Sequence, residues 1–253
     1  SSATLFEQLR AGGEFDLHST RVQRVDTGRA PAIHCVPLGV NVEFFRPPSV
    51  PRANGTKRKT ILFVGRLSRE KDLPVLFNAY ELLSAKGSYR LRIVGDGPMR
   101  RNVERFAARW PNVEYLGLRR YGPDLAEIYR QVDVLAVPSP SETFGLTVLE
   151  ALASGIPVVA VRKGGPADIV DASLGALSRP GDANDFAAKI EEVLGRPRAR
   201  PDVANVYRDH VLRHYSWDRT FTKLVALYRR ELERTQGREV KEHTVLHAAS
   251  TGG

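Results

Sequence analysis

The sequence predicts an α/β fold in which a parallel sheet carries helices on both faces. Six short apolar runs alternate with segments of helical periodicity between residues 60 and 178. Apolar strands separated by amphipathic helices form parallel sheets through right-handed crossovers. Several of the runs end in glycine-containing loops, and ligands of such sheets bind beyond the carboxyl ends of the strands. These loops are therefore where the sequence predicts a functional site.

Each predicted strand is an apolar run bounded by turn residues, and each predicted helix is an amphipathic segment between two runs. The strands are predicted at residues 60–64, 89–94, 113–116, 134–137, 158–161 and 175–178. The helices are predicted at residues 73–85, 99–109, 125–131, 144–154, 167–171, 182–194, 203–214 and 216–234. Gly155 and Pro157 end the fourth helix, because a left-handed turn favours glycine and proline cannot continue a helix. Asp72, Asp182 and Ser216 are the predicted N-caps of their helices.

Composition and charge limit the class of protein. The 253 residues are 42% hydrophobic, as expected of a soluble globular chain. Their net charge of +9 favours anionic partners. Cys35 is the single cysteine, so neither an internal disulfide nor a cysteine-based metal cluster is expected. No transmembrane run and no secretory signal is evident, which predicts a cytoplasmic protein. The basic residues form no nucleic-acid motif, so no nucleic acid is expected, whereas an anionic membrane surface on the inner face remains open as a partner.

Two glutamates mark the loop and helix between the fourth and fifth predicted strands. Glu142 lies in the loop and Glu150 lies in a helix that is apolar nearly all round. A buried carboxylate needs hydrogen-bond donors, and paired ligand hydroxyls would supply them. The helix start at Gly145 offers unpaired N–H groups and a positive dipole end, which suit a phosphate. The alternative is a loop carboxylate in water and a helix glutamate that faces solvent.

A second loop with phosphate chemistry follows the first predicted strand. Gly65 is predicted to allow a sharp turn, and Arg66 and Lys71 can converge on a phosphate as a planar fork and a point charge. An ordinary charged loop is the alternative interpretation. A third loop contains Gly95 and Gly97, but Arg100 occupies the third glycine position of a dinucleotide fingerprint.

Together these segments resemble the retaining GT-B glycosyltransferases of family 4. Residues 142–151 have the pattern Glu-x-Phe-Gly-x-x-x-x-Glu-Ala, followed by Gly-x-Pro-Val-Val-Ala and a Gly-Gly pair. Residues 65–72 have the pattern Gly-Arg-x-x-x-x-Lys-Asp, and residues 94–98 have the pattern Val-Gly-Asp-Gly-Pro. The resemblance implies that the Rossmann-like sheet is one half of a GT-B fold and that the chain binds a nucleotide sugar.

The resemblance also implies roles for individual residues. Arg66 and Lys71 would bind the donor pyrophosphate, Glu150 the ribose hydroxyls and Glu142 the sugar, with Arg66, Lys71 and Glu142 as the catalytic group. The other implied donor-binding residues are Gly65, Gly95, Asp96, Gly97, Leu118, Arg119, Thr143, Phe144, Gly145, Leu146 and Thr147. Retention of anomeric configuration, a GDP- or UDP-linked sugar as co-substrate, and no metal or other cofactor are expected of such a member.

The domain organisation is predicted from the same resemblance. Residues 1–36 are interpreted as the end of an N-terminal acceptor domain and its linker, so that the acceptor domain itself would be missing. Residues 37–215 would form the donor-binding domain, residues 216–235 a crossing helix, and residues 236–253 a disordered tail.

Three other interpretations are weighed against a donor-binding half of a transferase. The main alternative is a non-catalytic nucleotide-binding or regulatory module. A dinucleotide-dependent dehydrogenase would need a complete glycine fingerprint and an acidic residue after the next strand, and the sequence has neither. A sugar-nucleotide epimerase of the same fold would need acid–base groups that the sequence does not reveal.

Overall fold

The computed structural model of the chain describes residues 36–49, 58–196 and 201–250. In the last of these segments, side chains are described for residues 204–233. The predicted remnant at residues 1–36 therefore falls, except for its last residue, outside the described part. Across the described segments, no helix combines the length and apolar character needed to cross a membrane.

Six parallel strands form one sheet, which confirms the predicted fold class. The strands are β1 (Lys59–Val64), β2 (Tyr89–Val94), β3 (Val113–Gly117), β4 (Val134–Val137), β5 (Val158–Val161) and β6 (Gly175–Ser178). Their order across the sheet is β3-β2-β1-β4-β5-β6. All six predicted strands are present. The strands β1, β4 and β5 are apolar and buried over most of their length, as expected where helices cover both faces of a sheet. The strands β2 and β3 also carry the half-buried charged residues Arg90, Arg92 and Glu114.

Helices cover both faces of this sheet. They are α1 (Leu73–Lys86), α2 (Arg100–Arg109), α3 (Pro123–Arg130), α4 (Leu146–Ala153), α5 (Gly165–Ile169), α6 (Ala183–Gly195), α7 (Pro201–His214) and α8 (Trp217–Ser250). The core beneath α1, α2 and α6 contains Ile61 and Phe63 of β1. The core beneath α3, α4, α5 and α7 contains Leu62 of the same strand. Side chains of β1 thus alternate between the two cores, as the period of a strand requires.

The helix ends differ from the prediction where the turn chemistry is special. The fourth helix begins at Leu146 and not at residue 144, because Gly145 adopts φ +87° and cannot continue a helix backwards. Asp72 occupies the N-cap position of α1, but it has φ +49° and its side chain accepts no capping hydrogen bond. The prediction of an Asp72 cap is therefore wrong in its chemistry. Asp182 caps α6 by accepting from the Asp185 N–H at 2.9 Å, as predicted.

The last helix is longer than predicted. It continues to Ser250, so its predicted end near residue 235 and the disorder predicted for residues 236–250 disagree with the structure, whereas residues 251–253 of the predicted tail lie outside the described part. The physical reason lies in the composition: the segment contains Glu, Lys, Ala and Leu, which favour helices, and no proline follows Pro201. Weak apolar periodicity predicts the absence of a packing partner and not the absence of a helix.

The segment before the sheet is attached to the start of α8. The Val40 N–H donates to the Tyr215 carbonyl at 2.9 Å, and the Thr220 hydroxyl donates to the Pro37 carbonyl at 2.9 Å. Gly39 passes so close that a Cβ atom there would lie 2.7 Å from the Trp217 Cα atom. We refer to this contact between residues 37–40 and the start of α8 as the entry joint.

Arg208 of α7 joins residues 42–45, which follow the entry joint, to the end of α4. Its guanidinium donates to the carbonyls of Val42 and Phe45 at 3.1 and 3.0 Å, and to the carbonyl of Ala153 at the end of α4 at 3.4 Å. A cation at a helix C-terminus is favoured by the helix dipole. Burial lowers the pKa of this guanidinium, which stays charged because its ordinary value is so high.

Candidate functional site

The strand order places a crevice between β1 and β4. The chain proceeds from β1 to β2 on one side and reaches β4 on the other side only after β3, so the direction of the sheet reverses between β1 and β4. Ligands of open α/β sheets bind at such a reversal, outside the carboxyl ends of the strands. Two loops lie there: residues 65–72 follow β1, and residues 138–145 follow β4. These two loops contain all three of the predicted catalytic residues.

The two loops are joined by side-chain bonds. Lys71 forms an ion pair with Glu142, with a distance of 2.5 Å between Lys71 Nζ and Glu142 Oε2, and both side chains are about four-fifths buried. The Ser139 hydroxyl donates to the Glu70 carbonyl at 2.8 Å. The structure therefore brings together Lys71 and Glu142, which lie 71 positions apart in the sequence.

Arg66 is exposed in the same loop, and its guanidinium forms no hydrogen bond or ion pair with the other described side chains. This guanidinium is thus available to a ligand. A hydrogen bond from Ser68 and, to a smaller extent, the charges of Arg66 and Lys71 lower the pKa of the neighbouring Glu70 carboxyl.

Gly65 does not adopt a left-handed conformation, and a Cβ atom there would meet only the Phe63 ring at 3.4 Å. The chain bends at Gly65, as predicted, but it does so in an ordinary backbone conformation.

The adjacent residues Gly164 and Gly165 pack against the loop that follows β4. The Gly165 N–H donates to the Glu142 carbonyl at 2.8 Å, and a Cβ atom at Gly164 would lie 2.3 Å from that carbonyl oxygen. A Cβ atom at Gly165 would lie 2.5 Å from the Thr143 carbonyl oxygen. The loop carrying Glu142 can therefore lie this close only to glycine. The sequence contained a signal for this, since two adjacent glycines follow β5, but it did not assign them a partner.

The helix α4 begins directly behind this loop. Its N-cap residue Gly145 provides no side chain, so no side chain caps the first turn. Unpaired N–H groups and the positive end of a helix dipole favour an anion at such a position. Thr143 and Leu146 are exposed, whereas Phe144 and Thr147 are half-buried.

Glu150 is buried in α4, with only 5% of its surface exposed. Burial raises the pKa of its carboxyl to about 7, and a hydrogen bond from Tyr129 of α3 acts in the opposite direction. The Tyr129 hydroxyl donates to Glu150 Oε2 at 2.8 Å. The expectation that a buried Glu150 needs hydrogen-bond donors is confirmed, but its first donor is a protein side chain. Sequence reasoning missed Tyr129, because a tyrosine at core spacing on another helix gives no sign of its polar partner.

The raised pKa of Glu150 makes a prediction about stability and pH. The folded protein keeps a proton on Glu150 up to about pH 7, whereas the unfolded chain loses it near the usual value of 4.5. The stability that Glu150 contributes is therefore present below about pH 4.5 and is lost as the pH rises to about 7, a change of roughly 3 kcal/mol.

Glu150→Gln does not titrate, so we expect the variant to gain stability relative to the wild type between about pH 5 and about pH 8. Urea unfolding of both proteins, once at about pH 5 and once at about pH 8, measures this gain. A stability difference between the two proteins that is the same at both pH values would contradict the placement of Glu150 in a dry environment.

The loop after β2 is joined to the loop after β1 by backbone hydrogen bonds. The Leu67 N–H donates to the Asp96 carbonyl at 2.9 Å, and the Met99 N–H donates to the Leu67 carbonyl at 2.7 Å. Gly95 and Gly97 adopt φ +138° and +153°, and Cβ atoms there would lie 1.8 and 2.6 Å from carbonyl oxygens of the β1 loop. These glycines fix the position of the β1 loop and need not touch a ligand themselves.

The remaining predicted residues lie farther along the same edge of the sheet. Leu118 and Arg119 follow β3, which is separated from β1 by β2, and the Leu118 side chain is 75% exposed. Their contact with a nucleotide base stays a prediction. A surface cavity of about 410 Å³ lies at the opposite, amino edge of the sheet, between the residues that follow the entry joint and the end of α3.

In the part of the chain that the structure describes, no group of three or more His, Cys, Asp or Glu side chains converges as metal ligands would. The charged groups at the crevice are instead Arg66, Lys71 and Glu142, which form an environment suited to a phosphorylated ligand.

Comparison with known proteins identifies the family. A family model described as "Glycosyl transferases group 1" matches residues 58–196, which include the whole sheet and every loop of the site. A D-inositol 3-phosphate glycosyltransferase of Saccharomonospora viridis is 32% identical over 240 residues, or 88% of this chain and 56% of the relative. A GDP-mannose-dependent alpha-mannosyltransferase of Mycobacterium tuberculosis is 40% identical over 145 residues, or 55% of this chain and 36% of the relative.

A solved structure shares the fold. Anabaena HepE in complex with UDP superimposes with a TM-score of 0.70 at 19% identity, covering 90% of this chain and 62% of the other. The match includes most of this chain but only 56% of the Saccharomonospora protein, so the chain spans about half the length of that relative. From the family match over more than half of its residues and from the six-stranded sheet, we conclude that the chain belongs to the group 1 glycosyltransferases of GT-B fold.

Proposed function

We propose that this chain binds a nucleoside-diphosphate sugar in the crevice between β1 and β4 and presents it for retaining glycosyl transfer, as a family 4 member. The observation that carries the proposal is the ion pair of Lys71 with Glu142, which unites the two loops at the reversal of the sheet. A cation, a carboxylate and an uncapped helix start thus lie along one crevice.

The proposed roles follow from the chemistry of each group. Arg66 and Lys71 hold the pyrophosphate, together with the N–H groups at the start of α4. Glu150 accepts hydrogen bonds from the ribose hydroxyls, and Glu142 with the backbone of residues 144–146 binds the sugar. Gly65, Gly95 and Gly97 shape the crevice, while Leu118 and Arg119 meet the base.

The proposed mechanism is electrostatic. As the glycosidic bond breaks, negative charge develops on the departing nucleoside diphosphate, and preorganised donors stabilise it better than water does. Arg66 and Lys71 carry that charge stabilisation, and Glu142 keeps Lys71 oriented before the donor arrives. Glu142 and Glu150 are binding groups in this proposal, and neither acts as the acid or nucleophile of a glycosidase pair.

The chain is proposed to be one half of the transferring enzyme. Its relatives are longer, since the match covers only 56% of the Saccharomonospora protein. An acceptor domain would account for the part of that protein which the match does not cover. The acceptor would then bind across the cleft between the two halves. The nucleotide is proposed to be GDP or UDP; the Mycobacterium relative is named for GDP-mannose, and the Anabaena structure contains UDP. An anionic membrane surface stays a prediction from charge.

The deciding experiment is a calorimetric titration of the chain with GDP, UDP, ADP and NAD. We expect GDP or UDP to bind, with an affinity at least tenfold higher than that of NAD, since the loop after β2 lacks a dinucleotide fingerprint. Pretreatment with a chelator should leave the affinity of the preferred nucleotide unchanged, because Arg66 and Lys71 neutralise the phosphates in place of a metal. Preferred binding of NAD, or loss of binding after chelation, would overturn these proposals.

A further inference from the structure

We infer that Tyr129 is a positioning residue for the donor site: its hydroxyl fixes one oxygen of Glu150 and leaves the other to accept hydrogen bonds from the ribose. The inference rests on the proposed donor site and adds to it a residue from outside the loops. Tyr129 belongs to α3, and it reaches Glu150 through the interior of the protein.

The burial of both partners makes this hydrogen bond different from a surface contact. The Tyr129 side chain has no exposed surface and Glu150 has 5%, so neither group is well hydrated. The distance of 2.8 Å between Tyr129 Oη and Glu150 Oε2 is that of a good hydrogen bond. A buried tyrosine hydroxyl needs a polar partner, and a buried carboxylate accepts most strongly when it is ionised.

The surroundings offer Glu150 little else. Within the described part of the chain, Tyr129 is the one side chain recorded as hydrogen-bonded to Glu150, and no Arg or Lys forms an ion pair with it. Tyr121, in the loop before α3, is the other titratable group nearby: the charge of Glu150 contributes to raising its pKa. At the C-terminal end of α4, the Arg208 guanidinium donates to the Ala153 carbonyl.

The fixed oxygen has a consequence for recognition. A carboxylate has two oxygens and accepts about four hydrogen bonds, and one of the oxygens is already committed to Tyr129. The side chain is therefore oriented before a ligand binds, which lowers the entropy that binding must otherwise cost. A protonated Glu150 would accept more weakly, so the affinity for a ribonucleotide should rise as Glu150 ionises around neutral pH.

Removal of the hydroxyl should shift this profile in a defined direction. Tyr129 favours the ionised form of Glu150, so Tyr129→Phe should move the midpoint of the affinity profile upward by about one pH unit. At about pH 7 we expect the variant to bind GDP-mannose or UDP-glucose roughly fivefold more weakly than the wild type. At about pH 9 most of that loss should be recovered.

The experiment measures binding of GDP-mannose and UDP-glucose by calorimetry between about pH 6 and about pH 9. A nucleotide sugar is the better probe than a free diphosphate, because its phosphates lack the terminal group that titrates near neutral pH. The 2′-deoxy form of the preferred nucleotide sugar should lose much less on Tyr129→Phe. In a Glu150→Gln background, Tyr129→Phe should cause no further loss, since Tyr129 acts through Glu150.

Tyr80→Phe is the matched control. Tyr80 is 1% exposed, its hydroxyl lies 3.4 Å from the Tyr89 carbonyl, and it packs in the core on the opposite face of the sheet. It should leave the pH profile of binding unchanged. If Tyr129→Phe has no effect, or weakens binding equally at all pH values and for the deoxy probe, Tyr129 has only a structural role and the inference is wrong. If the wild type binds neither nucleotide sugar at any pH, the proposed function itself fails.

Discussion

Gly95→Ala is expected to lower the free energy of unfolding by about 3 kcal/mol or more. A Cβ atom at this position would lie 1.8 Å from the Gly65 carbonyl oxygen, which is far inside the contact distance of the two atoms. In addition, Gly95 has φ +138°, a conformation that side chains with a Cβ atom rarely adopt. Either β2 or the loop after β1 must therefore move, and urea unfolding measures the cost.

Gly117→Ala separates the two causes. Gly117 also has a positive φ, of +68°, and its carbonyl accepts the Gly95 N–H, but a Cβ atom there would meet nothing within 4 Å. We expect this variant to lose only about 1 kcal/mol, which is the cost of the left-handed conformation. Equal losses for Gly95→Ala and Gly117→Ala would mean that the β1 and β2 loops are not held together as closely as the structure has them.

Arg66→Ala and Lys71→Ala are each expected to weaken binding of a nucleoside diphosphate by about 1.5–3 kcal/mol, or roughly 10- to 100-fold. The Arg66 guanidinium is exposed and forms no side-chain hydrogen bond or ion pair with the other described residues, so its loss should act mainly on the ligand. Lys71→Ala should have the larger effect of the two. It also leaves Glu142 without its cation, and the free carboxylate then repels the phosphates.

Calorimetry with the preferred diphosphate and with the matching nucleoside tests this expectation. The nucleoside lacks phosphates and should bind the wild type and both variants alike. Lys86→Ala is the control for loss of a paired lysine, since Lys86 forms an exposed ion pair with Glu191 away from the crevice. Losses of equal size for the diphosphate and the nucleoside would contradict the assignment of Arg66 and Lys71 to the pyrophosphate.

The sheet was predictable from the sequence because its information is local. The strands β1, β4 and β5 contain short apolar runs, such as Val134–Val137, that are buried on both faces, whereas β3 is mostly half-buried. Connection rules restrict the order of the strands, but the sequence did not predict which order they take. The same local logic located the site loops, since glycine and charge at the end of a strand are visible in the chain itself.

The bonds that shape the site were not predictable, because each joins distant positions. Lys71 meets Glu142 across 71 positions and Tyr129 meets Glu150 across 21, and neither distance has a periodicity that a sequence pattern could reveal. Glu150 was expected to meet a ligand, and the structure adds a protein donor that only three-dimensional packing brings near. The start of α4 was predicted wrongly for a related reason, because the helical pattern in the sequence includes Gly145 and does not reveal its positive φ.

The entry joint also has a mechanical consequence. The chain arrives at the sheet through residues 37–40 and leaves it through the start of α8, and both crossings are held at the bridge between Val40 and Ser216. Because several contacts act at this one place, the segment that enters the sheet and the helix that leaves it are fixed to each other, and a displacement of one is transmitted directly to the other.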